Sequence, residues 1–398
     1  MNQSDETLLC TSRPAMRGSL SRALLIVWGL LLSLHYGYAQ TASTETAKTY
    51  TIAVTGDIMM GTTYPSVQLP PDTGKQLFAD VKDVLFSADI TLGNLEGTLC
   101  DGGHCTKGSG QYSYAFRTPT SYAPRLKEAG YDYLSMANNH ANDFGLEGII
   151  STENCLKAQG IAYSGIAGRK EWAVVERNGI RFGICAFGHN QYTLKHRDLK
   201  RVKQILDTLQ RQSDIIIVSF HGGAEGSPYS HLPEGSETFI GEDRGSLREF
   251  AHFCIDNGAD LVYGHGPHVV RCMEVYKGHL IAYSLGNFCT SYGVNLNGIN
   301  AYAPVLVAEI NEDGILTEGK IYSFIQQRGR GPLTDRDNKV AQHIKGLSEA
   351  DVPYSEARID KEGNIGTFVF KPQKTTLYLK VAEPRREQGR ELRLKTGK

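Results

Sequence analysis

Four apolar runs in this chain read as β-strands, and each ends on side chains able to ligate a metal ion. They are TIAVTGD, ending on Asp57; YDYLSMANNH, on Asn139 and His140; SDIIIVSFH, on His221; and GADLVYGHGPH, with His265 and His268. Between them lie stretches with apolar residues at helical spacing. Strands separated by helices call for a largely parallel sheet, since parallel neighbours are joined by crossovers. An open sheet of this kind holds its site beyond the carboxyl ends of its strands, which is where these polar residues fall.

The spacing predicts helices over Lys75–Phe86, Pro119–Ala129, Gly145–Gln159, Asp198–Gln212 and Leu247–Asn257. In the third, Leu146, Ile149, Ile150 and Leu156 are expected on one inward face. The fourth carries a stripe of Leu199, Val202, Ile205, Leu206 and Leu209. Beyond Ala303 the helical pattern stops, and PVLVAEI, KIYSFIQQ, GTFVFKP and TTLYLKV read as antiparallel strands, with a loop over Arg328–Asp337 and a charged tail from Glu383.

Three segments are expected: a leader over 1–39, one large α/β domain over 50–325, and a β-rich extension with the tail over 326–398. Arg13, Arg17 and Arg22 precede the apolar run Ala23–Leu34, and Gly37-Tyr38-Ala39 follows with small residues where a signal peptidase reads. This pattern predicts export with cleavage near Ala39, hence a periplasmic or cell-envelope location. An uncleaved leader would make it an anchor, but the run is shorter than the roughly 20 apolar residues a span needs.

Lys and Arg number 42 against 43 Asp and Glu, so no basic surface points to nucleic acid. Of the eight cysteines, Cys10 leaves with the leader. Cys100 and Cys105 in CDGGHC are spaced either for a disulfide or to remain free, and the other five sit in apolar contexts typical of small buried hydrophobes. No C-x-x-C zinc knuckle, G-x-G-x-x-G loop, P-loop or G-x-S-x-G elbow is present.

Asp57, Glu96, Asn139, His221, His265 and His268 together offer the mix of carboxylate, amide and imidazole that a water-activating divalent ion requires, and enough donors for a pair of ions. Singly, each has an ordinary explanation: Asp57 as a turn or cap residue, His221 as a core histidine. Their shared position after β-rich runs favours one common site.

GDIMMG (56–61), GNLEGTL (93–99), MANNHANDFG (136–145), SFHGGAE (219–225), GHGPHVV (264–270) and SLGNF (284–288) resemble, in order and spacing, the bacterial capsule-synthesis CapA family, a branch of the calcineurin-like metallophosphoesterases. The resemblance covers positions 50–290 and implies a four-layer α/β/β/α metallophosphoesterase-like sandwich. It implies Asp57 as the first metal carboxylate, Glu96 as the bridging one, and Asn139, His221, His265 and His268 as further ligands of two divalent ions, Mn, Fe or Zn. His140 would assist as proton donor outside the metal shell, oriented by Asp143.

Two positions depart from the superfamily pattern: Met59 stands where D-x-H has its histidine, and Glu96 replaces an aspartate. The resemblance implies a hydrolase or transferase acting on a phosphoester or a γ-glutamyl amide in capsule biosynthesis of the poly-γ-glutamate type. Its partners would be an anionic envelope polymer or phosphoester substrate, together with membrane-bound capsule-synthesis proteins. The alternative is a non-catalytic polymer-binding assembly or export factor. Arg117, Arg244 and Arg271, near the motifs, are candidate anion partners or plain surface charges.

Overall fold

In a computed structural model, the chain divides into two units, Met1–Lys48 and Thr49–Lys398, and the described residues are 48–108 and 114–367. The sheets and helices that follow all belong to the second unit. The leader, the TTLYLKV run and the charged tail lie outside the described residues.

Two sheets carry the fold. The first has nine strands, ordered Ala357–Ile359, Asn364–Thr367, Leu316–Tyr322, Val305–Asn311, Thr49–Met59, Ile90–Leu95, Tyr133–Ser135 and Ala162–Ser164, with Asn287–Thr290 also pairing to Thr49–Met59. The second has six: Met273–Tyr276, His279–Ala282, Leu261–His265, Ile215–His221, Ile180–Phe187 and Trp172–Arg177. The motif-bearing strands are parallel to one another within each sheet, so their carboxyl ends emerge on one side.

Alternation along the strands makes the layers. Ile52, Val54, Leu92 and Tyr133 of the first sheet share one core with Ile184, Ile217, Leu261 and Tyr263 of the second. The opposite faces bury separately. Ala53, Ile58 and Leu134 pack under Leu77, Val81, Leu126, Ile149 and Leu156, while Cys185, Ile216, Val218 and Val262 pack under Val202, Ile205, Leu206, Phe250 and Cys254. The result is the expected four-layer α/β/β/α sandwich.

Helices form over Ala123–Glu128, Gly145–Ala158, Leu199–Leu209 and Leu247–Asp256, close to their predicted spans. Of the stripe expected on Leu199–Leu209, Val202, Ile205, Leu206 and Leu209 are buried, whereas Leu199 in the first turn is exposed, and Asp198 caps that helix by accepting from the Arg201 amide. Lys75–Phe86 is shorter than expected, helical only over Lys82–Phe86, although Leu77, Phe78 and Val81 ahead of it are still buried.

Three further expectations are corrected, and one open alternative is decided. Leu146 and Ile150 are exposed, at 57% and 38%. Helix Gly145–Ala158 instead turns Gly148, Ile149, Thr152 and Leu156 inward, because Thr152 Oγ1 accepts the Leu99 amide at 2.9 Å and a Cβ at Gly148 would meet Thr98. Helices do not stop at Ala303: Lys339–Asp351 is helical and buries Val340, Ala341, Ile344 and Leu347. The expected loop at Arg328–Asp337 contains the strand Gly331–Thr334, paired with Phe324–Gln327. Cys100 and Cys105 are free thiols, each turned toward its own loop, Cys100 Sγ 3.4 Å from the Gly102 carbonyl and Cys105 Sγ 3.8 Å from that of Lys107.

Candidate functional site

Strand register assembles the site. Asn287, Asp57, Asn94 and Ser135 stand in a row across the carboxyl end of the first sheet. His221 and His265 are register partners at the ends of adjacent strands in the second. Side chains directly opposite one another on neighbouring strands lie on one face, so each row is a line of adjacent groups.

Asp57 joins the two rows. It is fully buried, with Oδ1 accepting from Asn94 Nδ2 at 2.8 Å and Oδ2 facing His268 Nδ1 at 2.9 Å. His265 Nδ1 approaches Oδ1 at 3.1 Å without hydrogen-bond alignment. Burial pushes this carboxyl up, but the two imidazoles overcome it and hold it well below the usual carboxylate range. The same contact acts on His268: burial opposes its charge, and the Asp57 carboxylate pushes it up to about 10. His268 sits at φ 54, in the left-handed region that costs a non-glycine residue about 1–3 kcal/mol, and its carbonyl is held by Asn287 Nδ2 at 3.0 Å.

Glu96, the residue after strand Ile90–Leu95, has Oε2 bound by Asn94 Nδ2 at 2.6 Å, so this one amide touches both carboxylates. Its Oε1 lies 3.4 Å from His221 Nε2 and 4.0 Å from His140 Nε2. Burial first, and the nearby charge of Asp57 second, push Glu96 up to about 7. His221 is driven well below the ordinary imidazole value by burial, with the neighbouring imidazoles adding to it against the pull of Asp57.

Asn138 and Asn139 divide their work. Asn138 Nδ2 donates to Asn94 Oδ1 at 3.0 Å and to the Leu95 carbonyl at 2.8 Å, and its Oδ1 accepts the His140 amide at 3.0 Å. Asn139 lines a cleft instead. His140 Nδ1 is 2.9 Å from Asp143 Oδ2, which also accepts the Phe116 amide at 2.6 Å. The Phe116 ring lies 4.3 Å from the imidazole, centre to centre. The cleft, about 680 Å³ and open to solvent, is bounded by Asn139, His140, Lys107, Tyr192, Glu225 and Arg244.

The three candidate arginines have different surroundings. Arg271 is fully buried and forks onto Glu237 with two 2.7 Å bonds, so it is neither an anion partner nor a surface charge. Arg117 stacks on Tyr64 and Phe144. Arg244 alone of the three lines the cleft. Sequence reasoning missed Asn94, although it stands inside the GNLEGTL block, and also Lys107 and His189. His189 stacks 5.8 Å from His221 and is pushed down to about 3 by burial and by that neighbour; FGHN, following the strand Ile180–Phe187, carried the same strand-exit signal.

Among the described residues no group of three or more His, Cys, Asp or Glu side chains stands ready to hold a metal ion; Asp57 spends its oxygens on its neighbours. The donor set nevertheless fits one chemically. Glu96 Oε1, Asn139 Oδ1 and both ring nitrogens of His221 and of His265 are buried without a hydrogen-bond partner. Each such atom costs on the order of 1–3 kcal/mol if left alone, and their concentration here marks a place for a polar guest.

Two packed sheets with carboxylates and imidazoles gathered at the strand ends define an α/β/β/α protein with a buried polar site. Within that class the chain belongs to the bacterial capsule synthesis protein PGA_cap family, whose pattern matches residues 51–292. It is similar to the PGA biosynthesis protein CapA of Bacillus subtilis strain 168, 27% identical over 291 residues, covering 68% of this chain and 72% of that protein. It is also similar to the capsule biosynthesis protein CapA of Bacillus anthracis, 28% identical over 263 residues and covering 61% and 60% respectively. A solved 5'-nucleotidase precursor from Thermus thermophilus superposes with a TM-score of 0.42 at 14% identity, over 70% of this chain and 54% of that one.

Proposed function

We propose that this chain is an exported, metal-dependent hydrolase or transferase of the cell envelope, cleaving a phosphoester or γ-glutamyl amide in the making of an anionic capsule polymer. The observation that carries this reading is the pair of buried carboxylates, Asp57 and Glu96, joined by one Asn94 amide and surrounded by imidazole nitrogens that have no other partner. Asp57, Glu96, Asn139, His221, His265 and His268 would hold two divalent ions, Mn, Fe or Zn. Bound there, such ions supply a water of lowered pKa and polarise the bond to be cut.

The chain's own residues do the rest. Asp143 Oδ2 accepts a hydrogen bond from Nδ1–H of the protonated His140 ring, which fixes the ring and leaves Nε2 on the side of Glu96 and the cleft. From there His140 can pass a proton to a departing oxygen or nitrogen, and the Asp143 carboxylate steadies the imidazolium state. Phe116 covers one face of the ring against water. The polymer itself and membrane-bound synthesis proteins would be the partners, and the leader over 1–39 would direct the chain to the envelope.

A second reading, a polymer-binding assembly factor without turnover, is favoured by Met59. It stands buried where the superfamily pattern has a ligating histidine, and a thioether is a poor ligand for these ions. Elemental analysis joined to a panel of phosphodiesters and γ-glutamyl amides separates the two. Bound metal with turnover that disappears in Asp57→Ala and His221→Ala supports the enzyme; bound polymer with neither supports the assembly factor.

A further inference from the structure

The cations near the site differ in what their donors already hold. Arg244 gives Nη1 to Glu225 at 2.8 Å and Nε to Glu242 at 3.0 Å. Arg271 is consumed by Glu237, and Arg117 gives Nε to Thr63 at 2.9 Å beneath its aromatic neighbours. Lys107 is placed differently. Its Nζ stands 2.9 Å from Asp143 Oδ1 and 2.9 Å from His140 Nδ1, with the side chain about a quarter exposed on the cleft wall.

An ammonium has three N–H donors and no acceptor. Asp143 Oδ1 pairs with the ammonium by charge at 2.9 Å without hydrogen-bond alignment, and so engages at most one. His140 Nδ1 takes one only when it is not itself donating to Asp143 Oδ2. At least one donor is therefore left for the cleft, beside the imidazole. The segment is also held in place: the Thr106 amide donates to the Asp143 carbonyl at 2.9 Å, and Thr106 Oγ1 donates to the Asn142 carbonyl at 2.7 Å. Lys107 thus follows a residue tied by two bonds to the same turn that carries the partner of His140.

We propose that Lys107 is a substrate-binding residue whose ammonium receives an anionic oxygen, phosphoryl or carboxylate, and holds it next to His140. This rests on the reading of the site as one that processes an anionic molecule. A lysine suits the role because it is a compact point charge with rotatable donors, able to keep Asp143 while turning toward a ligand.

The test is calorimetric titration of the full chain with inorganic phosphate and, separately, with glutarate, for wild type, Lys107→Met and Lys107→Arg, with elemental analysis of each. A charge-assisted hydrogen bond corresponds to a change of about 10-fold or more in affinity. Wild type is expected to bind one of the two anions, which tells phosphoryl from carboxylate recognition. Lys107→Met should weaken that binding at least about 10-fold, and Lys107→Arg should restore most of it, with metal content the same in all three. The proposal is overturned if wild type binds neither anion, if Lys107→Met binds as wild type does, or if the metal is lost together with the anion. A wild type devoid of metal and turnover would instead sink the hydrolase reading, and the anion titration would still report on Lys107.

Discussion

Asn94 shows how much one amide can organise. Its Nδ2 touches Asp57 and Glu96, and its Oδ1 accepts from Asn138; without it two buried carboxylates would face each other unscreened. Asn94→Ala should cost about 3 kcal/mol in urea unfolding, the cost of leaving buried polar groups unpaired. A loss under about 0.5 kcal/mol would contradict this role for the amide. Asp260 makes a separate point about charge. Burial pushes it up to about 7, even though its Oδ2 accepts the Ile216 amide at 2.7 Å. Between the unfolded value near 4 and that figure the folded chain holds a proton that the unfolded chain has released, so stability should fall as pH rises from about 4 to about 7. Asp260→Asn keeps an acceptor for Ile216 and should remove this residue's share of the decline; equal slopes in variant and wild type over that window would rule the assignment out.

Among the elements, the strands were the most legible part of the sequence, and the reason is physical. Runs such as SDIIIVSFH and GADLVYGH are buried on both faces, so they are continuously apolar, and the polar residue that ends each one marks the point where the chain leaves the sheet. Asp57, His221 and His265 could be found that way. Asn94 and Lys107 could not, because their importance lies in contacts 37 and 33 residues away along the chain, which no local pattern encodes. Helix Lys339–Asp351 was overlooked because the Gly- and Arg-rich stretch before it suggested irregular chain, although Val340, Ile344 and Leu347 stand at helical spacing. Ile344 is fully buried in the core between the sheets, so Ile344→Ala should cost about 2–4 kcal/mol. Unfolding unchanged by that substitution would mean that this helix is not part of the cooperative core. The mistaken inward face of helix Gly145–Ala158 has a similar origin: Gly148 and Thr152 are small and polar, and only their contacts with Thr98 and Leu99 reveal them as the packed side.

At the scale of the whole molecule, the site exists because two sheets end at the same place. Asp57 from one sheet meets His265 and His268 from the other, and Glu96 meets His221 across the same seam. A ligand that fills such a seam binds only the folded chain, so it must raise the melting temperature by mass action. Adding Mn or Zn to chelated protein should raise the melting temperature by several degrees, and Asp57→Ala should abolish the rise; an identical shift in that variant would place the ion elsewhere. The central claim is that carboxylates and imidazoles distant in sequence converge to hold cations. Elemental analysis of the purified full chain, after dialysis against dilute Mn and Zn, tests it most directly. At least one equivalent of metal per chain, falling to background in both Asp57→Ala and His221→Ala, is the expected result; metal-free wild type, or undiminished metal in both variants, would contradict it.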